Sequence, residues 1–172
     1  MIPGNYNAID MSTKCYEVFC GISKANLLML ESGSLKGCEK GLFYELSILT
    51  FSAVLGAIMI HSEDKSTSQE IMAGFIERVE KTFHLSSVDP ESRMEAYYDF
   101  LDRASDTLLQ QNPNQTDLAK LNKDLAATFV GFCLTETPSA IGSHADAVIE
   151  AGIDSWWGAY NAATTLFYDS AN

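Results

Sequence analysis

The sequence predicts an all-α protein, a single-domain bundle of about six helices around one central apolar helix. Apolar residues recur at steps of three and four along nearly the whole chain, which is the helical period. Alternating runs of β-branched residues, which are typical of strands, are missing. Three of the four prolines, Pro90, Pro113 and Pro138, stand where one helical pattern stops and the next begins.

The composition is that of a globular, acidic protein. The 172 residues suffice for one domain with a substantial core, and 47% of them are hydrophobic against 20% charged. We find no repeat and no linker, so residues 1–172 are expected to form one domain. The formal net charge of −12 repels a phosphate backbone, which argues against direct nucleic-acid binding.

The first two predicted helices occupy the N-terminal third of the chain. Helix one runs from about Ala8 to Leu30 and ends at the Ser-Gly-Ser cluster of residues 32–34. Helix two follows at about 35–61. The inward stripe of helix one comprises Met11, Cys15, Phe19, Ile22, Ala25 and Met29.

Helices three and four carry start signals. Helix three begins with a capping box, either Ser66 with Gln69 or Thr67 with Glu70, and ends near His84. Helix four opens with Asp89 as N-cap and Pro90 at its first helical position. The inward stripe of helix three comprises Ile71, Phe75, Val79 and Phe83. The inward stripe of helix four comprises Met94, Tyr97, Leu101, Ala104 and Leu108.

Helices five and six complete the bundle. Thr137-Pro138 separates them, and Ser143 with Asp146 offers the last helix a cap. Small residues between the large ones of helix six predict close packing, and short connections predict that consecutive helices are antiparallel neighbours. The inward stripe of helix five comprises Leu118, Leu121, Leu125, Phe129 and Phe132. The inward stripe of helix six comprises Ile149, Ile153, Trp156, Tyr160, Ala163 and Phe167.

The apolar part of helix two, residues 42–60, contains Glu45 as its one charged residue. A membrane-spanning helix needs about twenty predominantly apolar residues, so this segment is marginal in length. The other five helices carry charged faces, whereas a helix that is apolar all round is typical of a core. We therefore favour a buried core helix over a membrane span. No secretory signal is recognisable, so a cytoplasmic location is expected.

One narrow sector of helix two is small and slightly polar, since Glu45, Ser52 and Gly56 fall within it. We expect Glu45, near the helix start, to complement the helix dipole and reach solvent. A buried carboxylate with a raised pKa is the alternative. The second functional hypothesis is a ligand site between helices. It would hold an apolar small molecule or cofactor near this sector, Trp156 and Tyr160.

An acidic stripe on helix four carries the first functional hypothesis. Its four carboxylates follow at steps of four, three and four residues and fall within about 60° of one another. They lie on the side opposite the inward stripe, which places them in solvent. We expect this surface to bind a basic protein partner, as small acidic chaperones, immunity proteins and inhibitors do. The stripe comprises Glu95, Asp99, Asp102 and Asp106.

The sequence contains no specific catalytic, metal or cofactor motif. A metal-dependent hydrolase, the third hypothesis, would need a second acidic cluster, for which Glu150 with Asp154 is the best candidate. The four cysteines form no C-x-x-C pair and are expected to be reduced and mostly buried. His61 and His84 are interpreted as helix C-terminal residues. No cofactor is expected, and self-association of the chain is left open.

Overall fold

A computed structural model describes residues 7–32, 35, 40–62, 64–83, 90–110, 113–136 and 138–169 of the chain. Over these ranges the chain forms six helices and no strand, which confirms the all-α class. In chain order the helices are α1 (Ala8–Ser32), α2 (Lys40–His61), α3 (Lys65–Phe83), α4 (Pro90–Leu108), α5 (Gln115–Glu136) and α6 (Pro138–Asp169).

Helix α2 is the core of the molecule, as its composition predicts. It packs against each of the other five helices, and every side chain from 45 to 58 is buried. Its segment Gly41–His61 is long and apolar enough to cross a membrane, but 78% of its most apolar window is buried inside the protein. A helix that is apolar on all sides has no face to expose to water, so its neighbours enclose it.

The neighbours of α2 differ in their own partners. Helix α6 packs chiefly on α2, α5 and α1, and α4 packs on α2 and α5. Helix α3 packs chiefly on α1, where Phe75 meets Phe19 with ring centroids 6.1 Å apart. The described parts of α3 and α4 do not pack substantially on each other, so the expectation that every helix lies beside the next one along the chain fails there. The apolar stripes of these two helices are directed at different helices.

Side-chain caps set the starts of α3 and α5. At α3 both predicted capping boxes are wrong, because the Oδ1 of Asp64 accepts hydrogen bonds from the backbone N–H groups of Ser66 (2.8 Å) and Thr67 (3.0 Å). These bonds, with one from the Thr67 hydroxyl, lower the pKa of the Asp64 carboxyl. At α5, Asn114 accepts from the N–H of Asp117 at 2.9 Å. The predicted cap Asp89 and His84 lie outside the described residues.

Helices α1, α2 and α6 depart from the predicted pattern, and α2 begins at Lys40 instead of about residue 35. In α1 the predicted inward residue Ala25 is exposed, and Asn26 is buried in its place. The amide of Asn26 accepts a hydrogen bond from Ser155 of α6 at 2.7 Å, so polar groups join these helices in the core. Helix α6 begins at Pro138, earlier than expected, and His144 interrupts it with non-helical backbone angles close to the predicted cap.

Candidate functional site

The acidic face of α4 consists of the carboxylates of Glu95, Asp99, Asp102 and Asp106, and all four side chains are exposed. These carboxylates are exposed because the opposite side of α4 faces the core. On that side Tyr97 packs against α2 and α5 together with the rest of the inward stripe. At 1.5 Å per residue the acidic face is about 16 Å long. It presents a straight row of negative charge to solvent.

Two exposed apolar side chains border the acidic face. Tyr98 is 39% exposed and Leu109 is 60% exposed. The backbone N–H of Leu109 donates to the carbonyl of Ser105 at 3.0 Å, so the helical pattern continues to this residue. At 100° per residue Tyr98 and Leu109 lie about 60° from the centre of the acidic face. The acidic face therefore has an apolar edge.

The charge balance of α4 depends on where its arginines lie. Arg93 points into the core and is 5% exposed, whereas Arg103 is exposed beside the acidic face. Arg93 is bound there to Glu45 of α2, with 2.9 Å from Nε to Oε1 and 2.9 Å from its terminal nitrogen to the same oxygen. Its charge is neutralised inside the protein, and it adds no positive charge to the acidic face.

The expectation that Glu45 reaches solvent is wrong, because this carboxylate is fully buried and paired. Its partner Arg93, which lies 48 residues away, is not among the predicted site residues. One signal could have found it, since Arg93 stands four residues before Tyr97 and thus on the inward stripe of α4. The guanidinium also lies 5.3 Å from the centroid of the Phe132 ring, an additional cation–π contact.

The surroundings of the buried pair hold two protonated side chains. Burial, with a smaller contribution from Glu45, raises the pKa of the Cys133 thiol to about 12. The same two causes raise the pKa of the Tyr97 phenol well above its usual value. At neutral pH neither group supplies an anionic nucleophile. The Glu45–Arg93 cluster therefore has the chemistry of a structural ion pair.

The other residues predicted to bind a ligand do not surround one common site. The Cδ2 of Leu101 fills the space beside Gly56, since a Cβ added at this glycine would lie 2.5 Å from it. Ser52 donates its hydroxyl to the carbonyl of Leu49 at 2.7 Å. Trp156 is buried and stacks on Tyr160 at 5.0 Å. Along α2, Glu45 stands about 24 Å from His61, beside which Tyr160 lies.

Tyr160 does line a pocket of about 420 Å³, at the C-terminal end of α2. One wall is a row of rings, in which His61 lies 5.9 Å from Tyr160 and 5.7 Å from Tyr168 between centroids. Trp157 adjoins Tyr160 edge to face at 5.9 Å. Leu108, Pro113 and Leu118 add apolar contacts. The pocket therefore combines residues of α2, α4, α5 and α6, which no local sequence pattern reveals.

Hydrogen-bonding groups interrupt the apolar walls of this pocket. The Nε2 of His61 and the hydroxyl of Tyr160 are 2.9 Å apart. The hydroxyl of Thr164 is buried and lies near the Tyr160 phenol without hydrogen-bond geometry to it. Further polar lining residues are Thr107, Gln110, Asn161 and Tyr168.

His61 is held neutral by its surroundings. Burial lowers the pKa of its imidazole below 6.5 and raises the pKa of the Tyr160 phenol. For His61, which stands in the last turn of α2, desolvation thus outweighs the attraction between a protonated imidazole and the negative end of the helix dipole. The exposed His144 stands away from this pocket on α6.

Other candidate chemistry stays dispersed in the part of the chain that the structure describes. Within it no three His, Cys, Asp or Glu side chains come together as a metal site. Glu150 and Asp154 are exposed on α6. Burial raises the pKa of Cys15 to about 12, and Cys20 is half-buried. Cys38 lies outside the described residues.

No family model matches the chain, and neither the curated proteins nor the solved structures contain a significant match to it. Among the described residues, the acidic face of α4 and the pocket beside His61 each offer a molecular partner a defined set of contacts.

Proposed function

We propose that this protein is a non-enzymatic interaction module that binds a basic protein partner through the acidic face of α4. The single observation behind the proposal is the alignment of four exposed carboxylates along the solvent side of α4, next to exposed Tyr98 and Leu109. The opposite side of this helix is buried. Like charge held at fixed spacing steers and orients an oppositely charged protein.

The chemistry of the surface defines the partner more closely. Exposed ion pairs contribute little affinity because water and salt screen them. An aromatic ring that becomes buried at the centre of an interface contributes far more. The proposed partner therefore combines Lys or Arg side chains, opposite the carboxylates, with an apolar residue that covers Tyr98.

A pair of matched variants tests this proposal. The α4 variant carries Asp99→Asn, Asp102→Asn and Asp106→Asn, and reduces the net charge from −12 to −9. The α6 variant carries the same change in charge through three exposed acids at steps of four residues, by Asp146→Asn, Glu150→Gln and Asp154→Asn. Each variant and the parent protein are immobilised and incubated with a cell extract at low salt. The proteins that each of them retains are then quantified.

The expected result is a basic protein that the parent and the α6 variant retain and the α4 variant loses. Tyr98→Ala is expected to weaken the same complex by about fivefold or more, since truncation of an interface anchor typically costs more than about 1 kcal/mol. Equal loss with both triple variants would indicate unspecific charge attraction and contradict the proposal. Retention by the α4 variant would exclude the acidic face as the contact surface.

A further inference from the structure

The pocket at the end of α2 offers flat apolar surface together with hydrogen-bonding groups. Its rings are held in place by their own partners. The indole N–H of Trp157 donates to the Oδ1 of Asn122 at 2.7 Å, and Tyr160 stacks on the buried Trp156. These two rings therefore keep their orientation and present preformed surface, which lowers the entropy cost of binding a ligand.

Two polar groups in the pocket keep hydrogen-bonding capacity. If the Nε2 of His61 carries the proton, it donates to the Tyr160 phenol, whose own O–H can still donate to a ligand. If Nε2 is unprotonated, it accepts the phenol proton, and the phenol oxygen can still accept from a ligand. The buried hydroxyl of Thr164 makes no hydrogen bond within the described part of the chain. A buried hydroxyl without a partner is costly, and a polar ligand atom would supply one.

The charge of the lining defines the class of ligand. Among the described residues that line this pocket there is no Lys, Arg, Asp or Glu. Placing a charged molecule here would desolvate its charge without a counter-ion. The C-terminal end of α2 also carries the negative end of the helix dipole, which disfavours anions.

We propose that this pocket binds a small, uncharged organic molecule that has a planar ring and at least one hydrogen-bonding group. The ring packs on the aromatic wall formed by His61, Tyr160 and Trp157, and the polar group reaches Thr164 or the Tyr160 phenol. This site is independent of the acidic face of α4, so either proposal can fail without the other.

Three indole derivatives of similar size test the charge class. Tryptophol is neutral, tryptamine is a cation and indoleacetate is an anion. The chain contains two tryptophans, so fluorotryptophan incorporation gives two fluorine NMR signals, and Trp157→Phe identifies the one in the pocket. We expect tryptophol to shift the Trp157 signal with a dissociation constant of about 1 mM or tighter. Tryptamine and indoleacetate should bind at least about tenfold more weakly.

Three substitutions on α6 test the site. Asn161→Phe places a ring in the open side of the pocket at an exposed position and should abolish the tryptophol-induced shift. Thr165→Phe adds the same ring at an exposed position outside the lining and should leave it unchanged. Thr164→Val keeps the shape of the side chain but removes the hydroxyl, and should weaken tryptophol binding about fivefold.

Three outcomes would overturn the proposal. One is the absence of any Trp157 shift up to the solubility limit of tryptophol in the parent protein. A second is tighter binding of tryptamine or indoleacetate than of tryptophol, which would assign a charged ligand. The third is unchanged tryptophol binding in the Asn161→Phe variant while its thermal unfolding shows a native fold.

Discussion

At the scale of single residues, the ion pair of Glu45 and Arg93 is the most unusual feature of the core. Both side chains are almost completely removed from water. The desolvation of two charges offsets most of their attraction, so the pair adds little net stability compared with an apolar pair of similar size. Its contribution is specificity, because each charge requires the other and so fixes the position of α4 against α2.

Removal of one member of this pair should be far more harmful than removal of both. Glu45→Gln removes the carboxylate charge that neutralises the buried Arg93 guanidinium, and we expect the free energy of unfolding in urea to fall by about 3–5 kcal/mol. The double variant Glu45→Leu with Arg93→Met should recover most of this loss. Lys81→Met, which breaks the exposed pair with Glu77, is the control and should have little effect. Equal losses in the single and double variants would argue against a coupled pair.

His61 gives the stability a pH dependence whose sign follows from its lowered pKa. In the unfolded chain the imidazole takes up a proton near pH 6.5, whereas the folded protein resists protonation until a lower pH. The folded state therefore loses stability as the pH falls through this window and regains it above about pH 6.5.

The pH dependence can be isolated by substitution. Between about pH 7.5 and about pH 5 the parent should lose more unfolding free energy than His61→Gln does, because all other titrating groups are common to both proteins. Urea unfolding at the two pH values measures the difference. His144→Gln, which removes an exposed histidine, is the control. If the parent and the His61→Gln variant lose stability in parallel, His61 makes no contribution in this range.

At the scale of helices, the period of apolar residues predicts which elements form but not how they meet. The stripes of α3 and α4 are correct because the positions three and four residues apart share one face, and this is a local property. The partner of Glu45 and the pocket beside His61 depend on contacts between distant segments. The cap of α3 was mistaken because Asp64, Ser66 and Thr67 are all good capping residues, and only the path of the backbone selects Asp64.

The close packing expected for α6 has a specific origin at Gly152. A Cβ added there would lie 2.5 Å from the Cδ1 and Cε1 atoms of Phe129 of α5. That ring is buried and rigid, and cannot move aside as the end of a leucine side chain does. The absence of a side chain at Gly152 thus allows α5 and α6 to approach each other.

Substitution of glycines in two helices should have opposite effects. Gly152→Ala should lower the unfolding free energy by about 1–3 kcal/mol, since overpacking outweighs the better helix propensity of alanine. Gly21→Ala, where nothing lies within 4 Å of the added Cβ, should raise it by up to about 1 kcal/mol. Urea unfolding of both variants gives the comparison. Stabilisation of the protein by Gly152→Ala would mean that α5 and α6 do not approach as closely as described.

At the scale of the whole molecule, the excess of acidic residues opposes the compact fold. The net charge of −12 means that the like charges of the folded protein repel one another. Part of this repulsion is local, because the acidic face of α4 and the row of Asp146, Glu150 and Asp154 on α6 place like charges three or four residues apart. Exposed rows of like charge therefore cost the protein some stability.

Neutralisation of six of these seven carboxylates should therefore stabilise the protein while removing its proposed function. Combining the α4 and α6 variants halves the net charge to −6, and we expect the melting temperature at about 10 mM salt to rise by about 2–4 °C. At about 200 mM salt, where screening already weakens the repulsion, the difference should shrink. Each triple variant should give part of the rise, and the parts should add because the rows lie on different helices. A lower melting temperature in either triple variant would show that its carboxylates hold the fold together, and loss of partner binding in that variant would then no longer identify a contact surface.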